Sequence, residues 1–501
     1  MFDKVLSCGL YGFNTFLVDV EANIVRGMPS FNIVGLPDAT VKESRERIRS
    51  ALSACGVHFP VSAVTVNLAP ADTKKSGSVL DTSIFMALLK AMGLISRSTE
   101  NCIFLGELSL SGNLRGITGV LPMIIHAREL GIKSAFVPAA NAHEASVITG
   151  IDIYSVDHAE QLMEHFRGAK FLTPCEPYIP PEAVYNENED FEEVKGQQFA
   201  KRALEIAAAG GHNALLSGYP GSGKSMLAKR MPTILPPLTF EEALETTKVH
   251  SVAGMLTPEQ PIITKRPFRS PHHTISPAGL SGGGSILRPG EVSLAHNGLL
   301  FLDEIAEFDR RTLEILRQPV EEHSIKLSRA SGSATYPCSF MLIGAMNPCP
   351  CGYYGHPTRR CTCSQKNISA YNSRISGPLL DRFDLYIEVA PLEFCDLSSE
   401  KKEESSESIR KRVMAAREIQ NERFKSTGIS CNAMISDGKL DKYCHMDEDV
   451  KKTFNRLYTA LQLSGRAYSR LLKVARTIAD LSGSENIRVQ DIKEAAQYRK
   501  K

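Results

Sequence analysis

A glycine-rich octapeptide at positions 218–225 constrains this chain more than any other feature. The apolar residues at 213–217 before it predict a short buried strand, and those from Met226 onward predict a helix. Glycines between a strand and a helix let consecutive backbone N–H groups face phosphate oxygens at the helix N-terminus. The pattern therefore predicts an ATP or GTP site on an α/β sheet. The octapeptide consists of Gly218, Tyr219, Pro220, Gly221, Ser222, Gly223, Lys224 and Ser225.

Two side chains of this loop have chemical roles that the other positions lack. Lys224 is expected to reach the outer phosphates, and the Ser225 hydroxyl is expected to hold Mg²⁺. A second apolar run, at 298–302, ends in two carboxylates and predicts a buried parallel strand. Asp303 then belongs near the metal ion, and Glu304 is placed to polarise a water molecule against the γ-phosphate. A solvated turn is the alternative interpretation of two adjacent acids.

A third strand is predicted at 340–346 and ends at Asn347. Its amide is a candidate for orienting the attacking water from the neighbouring strand. Asparagine is also common in turns, so a structural role is the alternative.

Length and composition limit the remaining possibilities. The 501 residues suggest about three domains. A net charge of +2 gives no global basicity, so any contact with nucleic acid must be local. Neither an export signal nor a run of ~18 apolar residues is present, which predicts a cytoplasmic protein without a membrane partner. The 12 cysteines are therefore expected to be reduced thiols or metal ligands.

The chain divides by its local patterns. Residues 1–172 alternate strand-like and helical runs, with Asp38 as a candidate helix cap, and predict an α+β domain. Residues 173–190 are proline-rich and acidic and predict a linker. Residues 191–393 contain the nucleotide motifs and predict an α/β domain with a parallel sheet. Residues 394–501 have helical periodicity and predict a helical bundle. The expected fold class is multidomain α/β.

Four cysteines lie close together directly after Asn347. They form a C-x-C pair, a nine-residue spacer and a second C-x-C pair, in a loop at 349–363. Glycine and proline in the spacer allow both pairs to reach one ion, and four thiolates predict structural Zn²⁺. A ligand role for His356, an iron–sulfur cluster and free thiols are the alternatives. The ligands are Cys349, Cys351, Cys361 and Cys363.

Six stretches in a fixed order resemble the AAA+ ATPases, and within them the magnesium-chelatase-like branch known as the YifB or ComM family. The resemblance covers nearly the whole chain. It implies a ring, expected to be a hexamer, with each ATP between two subunits. The stretches are 191–197 (FEEVKGQ), 268–276 (FRSPHHTIS), 288–304 (RPGEVSLAHNGLLFLDE), 345–352 (AMNPCPCG), 376–385 (SGPLLDRFDL) and 463–479 (LSGRAYSRLLKVARTIA).

The resemblance also implies two arginine roles. Arg382 matches the arginine finger, which would neutralise charge on the γ-phosphate bound by a neighbouring subunit. Arg466 matches the position called sensor 2, with Arg374 and Arg470 as nearby alternatives. A surface salt bridge is the alternative for each arginine.

Residues 324–336 predict a β-hairpin with a turn at Ser331 and Gly332. Lys326 and Arg329 lie on or near its tip. In this branch of AAA+ proteins such a hairpin points into the ring's pore, where six copies would form a cationic collar for DNA phosphates. A second local basic cluster is associated with the FRSPHHTIS stretch, and a solvated loop is the alternative interpretation. It comprises Lys265, Arg266, Arg269, His272 and His273.

The N-terminal region resembles the proteolytic domain of Lon. The serine and lysine of that family's dyad fall on Val79 and Leu121, so proteolysis is not expected. A shifted dyad stays open, and a DNA-docking or ring-assembly role is preferred. The residues available to a shifted dyad are Lys74, Lys75, Ser76 and Ser78.

These features together predict an ATP-driven ring motor that acts on single-stranded or branched DNA. The resemblance implies a helicase for branch migration in recombination or natural transformation, with recombination proteins as partners. One alternative is a chelatase-type ATPase that remodels a partner protein. A nucleotide-switched regulator is the other.

Overall fold

The computed structural model describes residues 1–181, 189–284, 287–329, 332–391 and 402–499. The predicted turn residue Ser331, part of the predicted linker and the predicted boundary at 393–394 lie outside the described residues. Within the described part, every helix falls short of the length or apolarity that a bilayer crossing requires.

The strands are β1 (Phe2–Tyr11), β2 (Asn14–Val25), β3 (Ser30–Val34), β4 (Ala63–Ala69), β5 (Cys102–Phe104), β6 (Glu107–Leu108), β7 (Leu114–Arg115), β8 (Ser134–Pro138), β9 (Asp152–Val156), β10 (Ala214–Gly218), β11 (Phe268–Arg269), β12 (Gly282–Gly283), β13 (Arg288–Pro289), β14 (Leu299–Leu302), β15 (Ser324–Arg329), β16 (Gly332–Pro337), β17 (Met341–Met346) and β18 (Leu385–Val389).

The helices are α1 (Ala39–Ala54), α2 (Asp81–Ala91), α3 (Val120–Glu129), α4 (Ala142–Ser146), α5 (Ala159–Arg167), α6 (Gln198–Gly210), α7 (Lys224–Ile234), α8 (Phe240–Ala253), α9 (Pro277–Ser281), α10 (Glu291–Leu294), α11 (Arg310–Ile315), α12 (Arg317–Glu322), α13 (Gln365–Asn372), α14 (Gly377–Leu380), α15 (Ser406–Arg423), α16 (Leu440–Tyr443), α17 (Glu448–Ala460), α18 (Gly465–Leu481) and α19 (Val489–Gln497).

The N-terminal region is built on a seven-stranded mixed sheet of order β3-β4-β2-β1-β5-β8-β9. Strands β4, β2 and β1 pair antiparallel, whereas β5, β8 and β9 continue the sheet in parallel. Helix α2 packs against β1 and β2, and its face is buried almost throughout. Asp38 caps α1 as predicted, since its carboxylate accepts the Val41 N–H at 2.8 Å.

Ser78 and Lys75, two of the residues available to a shifted dyad, do not form a proteolytic dyad with each other. The Ser78 hydroxyl donates to Glu107, and the buried Lys75 ammonium donates to the Pro70 carbonyl. The serine is therefore hydrogen-bonded to a carboxylate and not to a lysine base. This arrangement gives a chemical reason for the expectation that the protein is not a protease.

A five-stranded parallel sheet of order β11-β14-β17-β10-β18 forms the centre of the molecule. Strands β10, β14 and β17 are buried along their whole length, which explains their continuous apolar sequences. Because the strands are parallel, their carboxyl ends meet at one edge of the sheet, where ligands bind in open α/β folds. The mixed α/β fold class with a helical C-terminal region is confirmed.

The C-terminal helices α15 to α19 pack on one another and on α6 beside the central sheet. A buried polar network reinforces this packing. The His212 ring lies 2.8 Å from the Thr477 hydroxyl, which accepts a hydrogen bond from Asn432 at 3.0 Å. Gln420 donates to the Ala209 carbonyl at 2.9 Å. These hydrogen bonds fix the helices that follow residue 402 against the end of α6.

The predicted hairpin consists of β15 and β16, which pair from Ser324 to Arg329. Its second strand packs on the turn between β1 and β2 in the N-terminal region. A Cβ on Gly12 would lie 2.3 Å from the Ala334 Cβ, so the two backbones approach closely. The Phe13 and Tyr336 rings lie 5.7 Å apart. The N-terminal region therefore contacts the hairpin along its second strand, as far as Gly332 beside the Tyr11 hydroxyl.

Candidate nucleotide and metal sites

The phosphate loop joins β10 to α7 at the carboxyl edge of the central sheet. Gly221 and Gly223 have φ values of 77° and 90°, a left-handed region that favours glycine. Lys224 lies in the first turn of α7, and its Nζ donates to the carbonyls of Gly218 at 2.8 Å and Tyr219 at 2.9 Å. Burial lowers the pKa of this ammonium.

Strand β14, which is separated from β10 by β17, brings a carboxylate to the same edge of the sheet. Asp303 follows β14, and its Oδ2 accepts a hydrogen bond from the Ser225 hydroxyl at 2.6 Å. Oxygen atoms from a serine and an aspartate are the ligands that Mg²⁺ prefers beside phosphates. The two predicted metal ligands are therefore close enough to bind the same Mg²⁺ ion.

Glu304, the candidate for water activation, lies on the turn after β14. Its φ of 49° is left-handed, which is uncommon for a residue other than glycine and imposes local strain. The backbone N–H of Glu304 donates to Asp303 Oδ1 at 3.0 Å. Its side chain is 56% exposed and is therefore open to solvent, which a residue that acts on water requires.

Asn347 completes the arrangement from the third strand. It follows β17, which lies between β10 and β14, and its Oδ1 accepts from Lys224 Nζ at 3.2 Å. The structure thus brings two hydrogen-bonded pairs together at the sheet edge, Lys224 with Asn347 and Ser225 with Asp303. Their roles in catalysis stay predictions.

Sequence reasoning assigned no role at the nucleotide site to two side chains that face these residues. His273 Nδ1 lies 4.0 Å from Glu304 Oε2. The Gln197 amide donates to the carbonyls of Ser222 at 3.3 Å and Ala390 at 2.7 Å, which ties the phosphate loop to the end of β18. Both belong to stretches that carry the family resemblance, FRSPHHTIS and FEEVKGQ, and this was the available signal.

The arginines assigned by resemblance pair with acids of their own chain. Arg382 is only 11% exposed and contacts Glu321 at 2.5 Å. Arg466 is 60% exposed and lies 3.8 Å from Asp381. Arg470, the alternative for sensor 2, is largely buried and lies 3.9 Å from the same carboxylate. The salt-bridge alternative therefore describes these arginines in the single chain, and the arginine-finger and sensor 2 roles stay predictions.

The cationic residues of the hairpin lie at different heights. Arg329 pairs with Gly332 in the last described rung before the tip, whereas Lys326 pairs with Thr335 farther down. Lys326 borders a cavity of about 500 Å³ together with Glu321 and Arg382.

Two arginines of the second basic cluster are already held by acids. Arg266 pairs with Glu242 at 2.9 Å, and Arg269 pairs with Glu291 at 2.6 Å. Their charges are therefore partly neutralised within the chain. Arg266 and Arg269 are therefore weaker candidates for DNA contact than the hairpin.

The four cysteines converge as their spacing predicted. All four Sγ atoms lie within 4.8 Å of one another. Cys349 Sγ lies 3.4 Å from Cys351 Sγ and 3.7 Å from Cys361 Sγ, and the latter two sulfurs are 3.5 Å apart. Tetrahedral Zn²⁺ with Zn–S bonds of about 2.3 Å requires sulfurs roughly 3.8 Å apart, so the donor set fits that ion.

The four thiols differ in acidity. Hydrogen bonds from the backbone N–H groups of Tyr353 and Thr362 lower the pKa of the Cys351 thiol, whereas desolvation and the neighbouring sulfurs raise the pKa of Cys361 and Cys363. His356, the alternative ligand, instead uses its Nδ1 to accept the backbone N–H of Thr358 and Arg359 at 3.1 Å each.

The four-cysteine loop borders the phosphate loop. The rings of Tyr219 and His356 lie 4.6 Å apart at 64°, an edge-to-face contact. Tyr219, Tyr354 and Tyr386 border a cavity of about 680 Å³ at this place.

Three family descriptions match successive parts of the chain. "Subunit ChlI of Mg-chelatase" matches residues 20–141, "Magnesium chelatase, subunit ChlI" matches 190–397, and "Magnesium chelatase, subunit ChlI C-terminal" matches 403–499. The matches fall on the N-terminal region, the central sheet and the C-terminal helices.

Individual relatives extend over nearly the whole chain. It is 44% identical over 491 residues to the uncharacterized protein YifB of Salmonella typhimurium, which covers 97% of this chain and 95% of the relative. It is 40% identical over 502 residues to competence protein ComM of Haemophilus influenzae, with coverages of 99% and 97%.

A more distant relative is the magnesium-chelatase 67 kDa subunit of Heliobacterium mobile. Identity is 25% over 246 residues, which is 44% of this chain and 37% of the relative. The near full-length matches, together with the phosphate loop and the carboxylates after β14, decide the assignment. The chain belongs to the magnesium-chelatase-like family of AAA+-type ATPases that includes YifB and ComM.

Proposed function

We propose that this protein is an ATP-driven ring motor that acts on DNA, a hexameric helicase that promotes branch migration in recombination or natural transformation. The convergence of Lys224, Ser225, Asp303 and Asn347 at one sheet edge is the observation that carries the ATPase part. The DNA part is supported by the relative named competence protein ComM and by the cationic hairpin.

The chain's own groups account for the hydrolytic step. Backbone N–H groups of residues 221–225 would donate hydrogen bonds to the phosphate oxygens. The Lys224 ammonium would leave the loop carbonyls and contact the same phosphate oxygens. Ser225 and Asp303 would hold Mg²⁺, which would neutralise charge on the phosphates. Glu304 would take the proton of the water that attacks the γ-phosphorus, and Asn347 would orient that water. The bond from the γ-phosphorus to the β–γ bridging oxygen breaks in this step, and ADP leaves.

A neighbouring subunit supplies what the single chain lacks. Arg382 would leave Glu321 and stabilise the charge on the neighbour's γ-phosphate. Each nucleotide then lies between two subunits, so hydrolysis changes the arrangement of the ring. Hairpins moving with their subunits would displace DNA, with Arg329 and Lys326 contacting its phosphates.

We also propose that the four-cysteine loop holds one structural Zn²⁺ per chain. Four thiolates in tetrahedral spacing favour this ion over the hard cations, which prefer oxygen ligands. Metal analysis of protein purified without added metal should find one zinc per chain. Less than about a tenth of that amount would exclude the site.

The decisive experiment measures ATP turnover with and without single-stranded, duplex and branched DNA. Glu304→Gln serves as the blank, and Lys224→Ala controls for loss of nucleotide binding. Strong stimulation by branched or single-stranded DNA supports the motor and justifies a strand-exchange assay on four-way junctions. A rate of ATP turnover that none of these DNAs changes would reject the proposed DNA motor.

A chelatase-type ATPase that remodels a partner protein is the second candidate. The likeness to a magnesium-chelatase subunit favours it. If DNA has no effect, purification of the Glu304→Gln protein with ATP is expected to trap the protein client.

A further inference from the structure

We propose that the four-cysteine loop is a positioning element for the phosphate loop, so that metal and nucleotide binding strengthen each other. This inference rests on the ATP and zinc sites proposed above. The two loops are separated by more than a hundred residues in sequence, yet they contact each other at two places and are connected at a third through Asn347.

The first contact is a close backbone approach. Gly352 follows Cys351 with a φ of 85°, and a Cβ built there would lie 2.5 Å from Pro220 Cγ. No larger residue can occupy this position without moving the phosphate loop. The proline ring therefore lies directly against the backbone of the metal loop.

The second contact is the edge-to-face pair of His356 and Tyr219, with centroids 4.6 Å apart. Hydrogen bonds from Thr358 and Arg359 to His356 Nδ1 fix the orientation of the imidazole. Because Thr358 and Arg359 lie between the two cysteine pairs, the ring keeps its place only while the loop keeps its shape.

The third connection runs along the chain from β17. Asn347, which holds Lys224 Nζ, is two residues before Cys349. Cys349 is fully buried, and its sulfur accepts the Tyr354 N–H at 3.3 Å. A metal ion on Cys349 would therefore fix the backbone that presents the Asn347 amide to Lys224.

The physical reason for coupling is conformational entropy. Residues 349–363 form no helix or strand, so their order depends on cross-links among the cysteines. With the metal bound, the surfaces that touch Pro220 and Tyr219 are already ordered. Without it, nucleotide binding must also order the loop, which weakens binding. By linkage, nucleotide must strengthen metal binding by the same factor.

The experiment uses the full-length chain in two forms, zinc-loaded and stripped by a chelator under reducing conditions. The probe is a fluorescent, non-hydrolysable ATP analogue. The stripped form is expected to bind it at least about fivefold more weakly, and added zinc should restore the affinity. Zinc transfer to a chromogenic chelator should slow in the presence of the unlabelled analogue.

Variants of His356 separate positioning from metal retention, since all four thiols remain. His356→Ala should keep one zinc per chain but lose most of the difference in nucleotide affinity between the loaded and stripped forms. His356→Phe should recover it, because a ring can again meet Tyr219 edge-to-face. His445→Ala, at an exposed histidine before α17, is the matched control and should behave as wild type.

The outcomes are distinct. Zinc-loaded and stripped wild-type proteins with equal analogue affinity overturn the positioning role and leave the zinc site standing. Wild-type protein without zinc overturns the metal site and this inference with it. Zinc-loaded protein that does not bind the analogue overturns the proposed ATP site instead.

Discussion

The nucleotide site and the two arginines assigned to it by resemblance contrast sharply. Lys224, Ser225 and Asp303 form hydrogen bonds with groups of the site itself and are gathered at one sheet edge. Arg382 and Arg466 instead contact acids of their own chain, Glu321 and Asp381. One set is organised within the single chain, whereas the other would have to change partners to act.

This difference follows from where the groups lie in the fold. A parallel sheet can bring the metal-binding and phosphate-binding groups together because their strands end at one edge. Arg382 and Arg466 contact Glu321 and Asp381 instead, so strand order alone does not place them at the nucleotide site. We propose a second subunit as the source of the Arg382 charge, and the predictions below test this division.

The largest effect is expected from Arg382→Ala. Removing a trans-acting arginine should lower the turnover of the assembled protein by about 10³-fold. Turnover is measured alone and after mixing with Lys224→Ala, since mixed interfaces would contain an intact site and an intact arginine.

Glu321→Gln is the matched control for this variant, because it removes the same ion pair but keeps the arginine. It should retain most of the turnover. Equal losses in both variants, without recovery on mixing, would reduce Arg382 to a structural salt bridge.

Glu304→Gln should lower turnover by about 10²–10³-fold while ATP binding is retained, since only the proton acceptor is lost. Single-turnover hydrolysis and analogue affinity check the two parts separately. Glu307→Gln, three residues on and paired with Arg374, provides an acid-to-amide control outside the site. Full turnover by Glu304→Gln would contradict its assignment.

Arg466→Ala should weaken ATP-analogue binding by about tenfold if this exposed arginine reaches the nucleotide from the C-terminal helices. Arg470→Ala is the comparison, because Arg470 contacts Asp381 and Asp384 and is mostly buried. We expect it to lower the melting temperature more than the affinity. The reverse result would exchange the two assignments.

The smallest effect is expected from Arg329→Ala at the hairpin. Loss of one phosphate contact should weaken DNA binding a few-fold and reduce the dependence of log affinity on log salt by about one. Fluorescence anisotropy over a salt series measures both. Lys452→Ala on α17 removes an exposed lysine elsewhere and should leave the slope unchanged.

Local patterns predicted much of this architecture. The strands at β10, β14 and β17 and the helix beginning at Ala39 were expected within one or two residues. Their signals are short-range, because apolar runs, caps and glycines act within a few residues of themselves. The cysteine cluster was predictable for the same reason, since its ligands occupy one loop.

Contacts between distant segments were not predictable in this way. The packing of Gly12 against Ala334 and the pairing of Arg266 and Arg269 with acids depend on which elements become neighbours. A basic cluster in sequence has the same pattern whether or not the fold supplies carboxylates beside it. Sequence spacing alone could not distinguish those cases.

The sequence by itself determined the phosphate loop, the carboxylates after β14, the four-cysteine spacing and the family. Each of them is recognised from short stretches of residues that are close together in the sequence. Only the tertiary structure decided that Asn347 contacts Lys224 and that His356 contacts Tyr219. It also decided that the N-terminal region supports the hairpin. The physical reason is that these contacts follow from strand order and helix packing, which arise from burial summed over the whole chain.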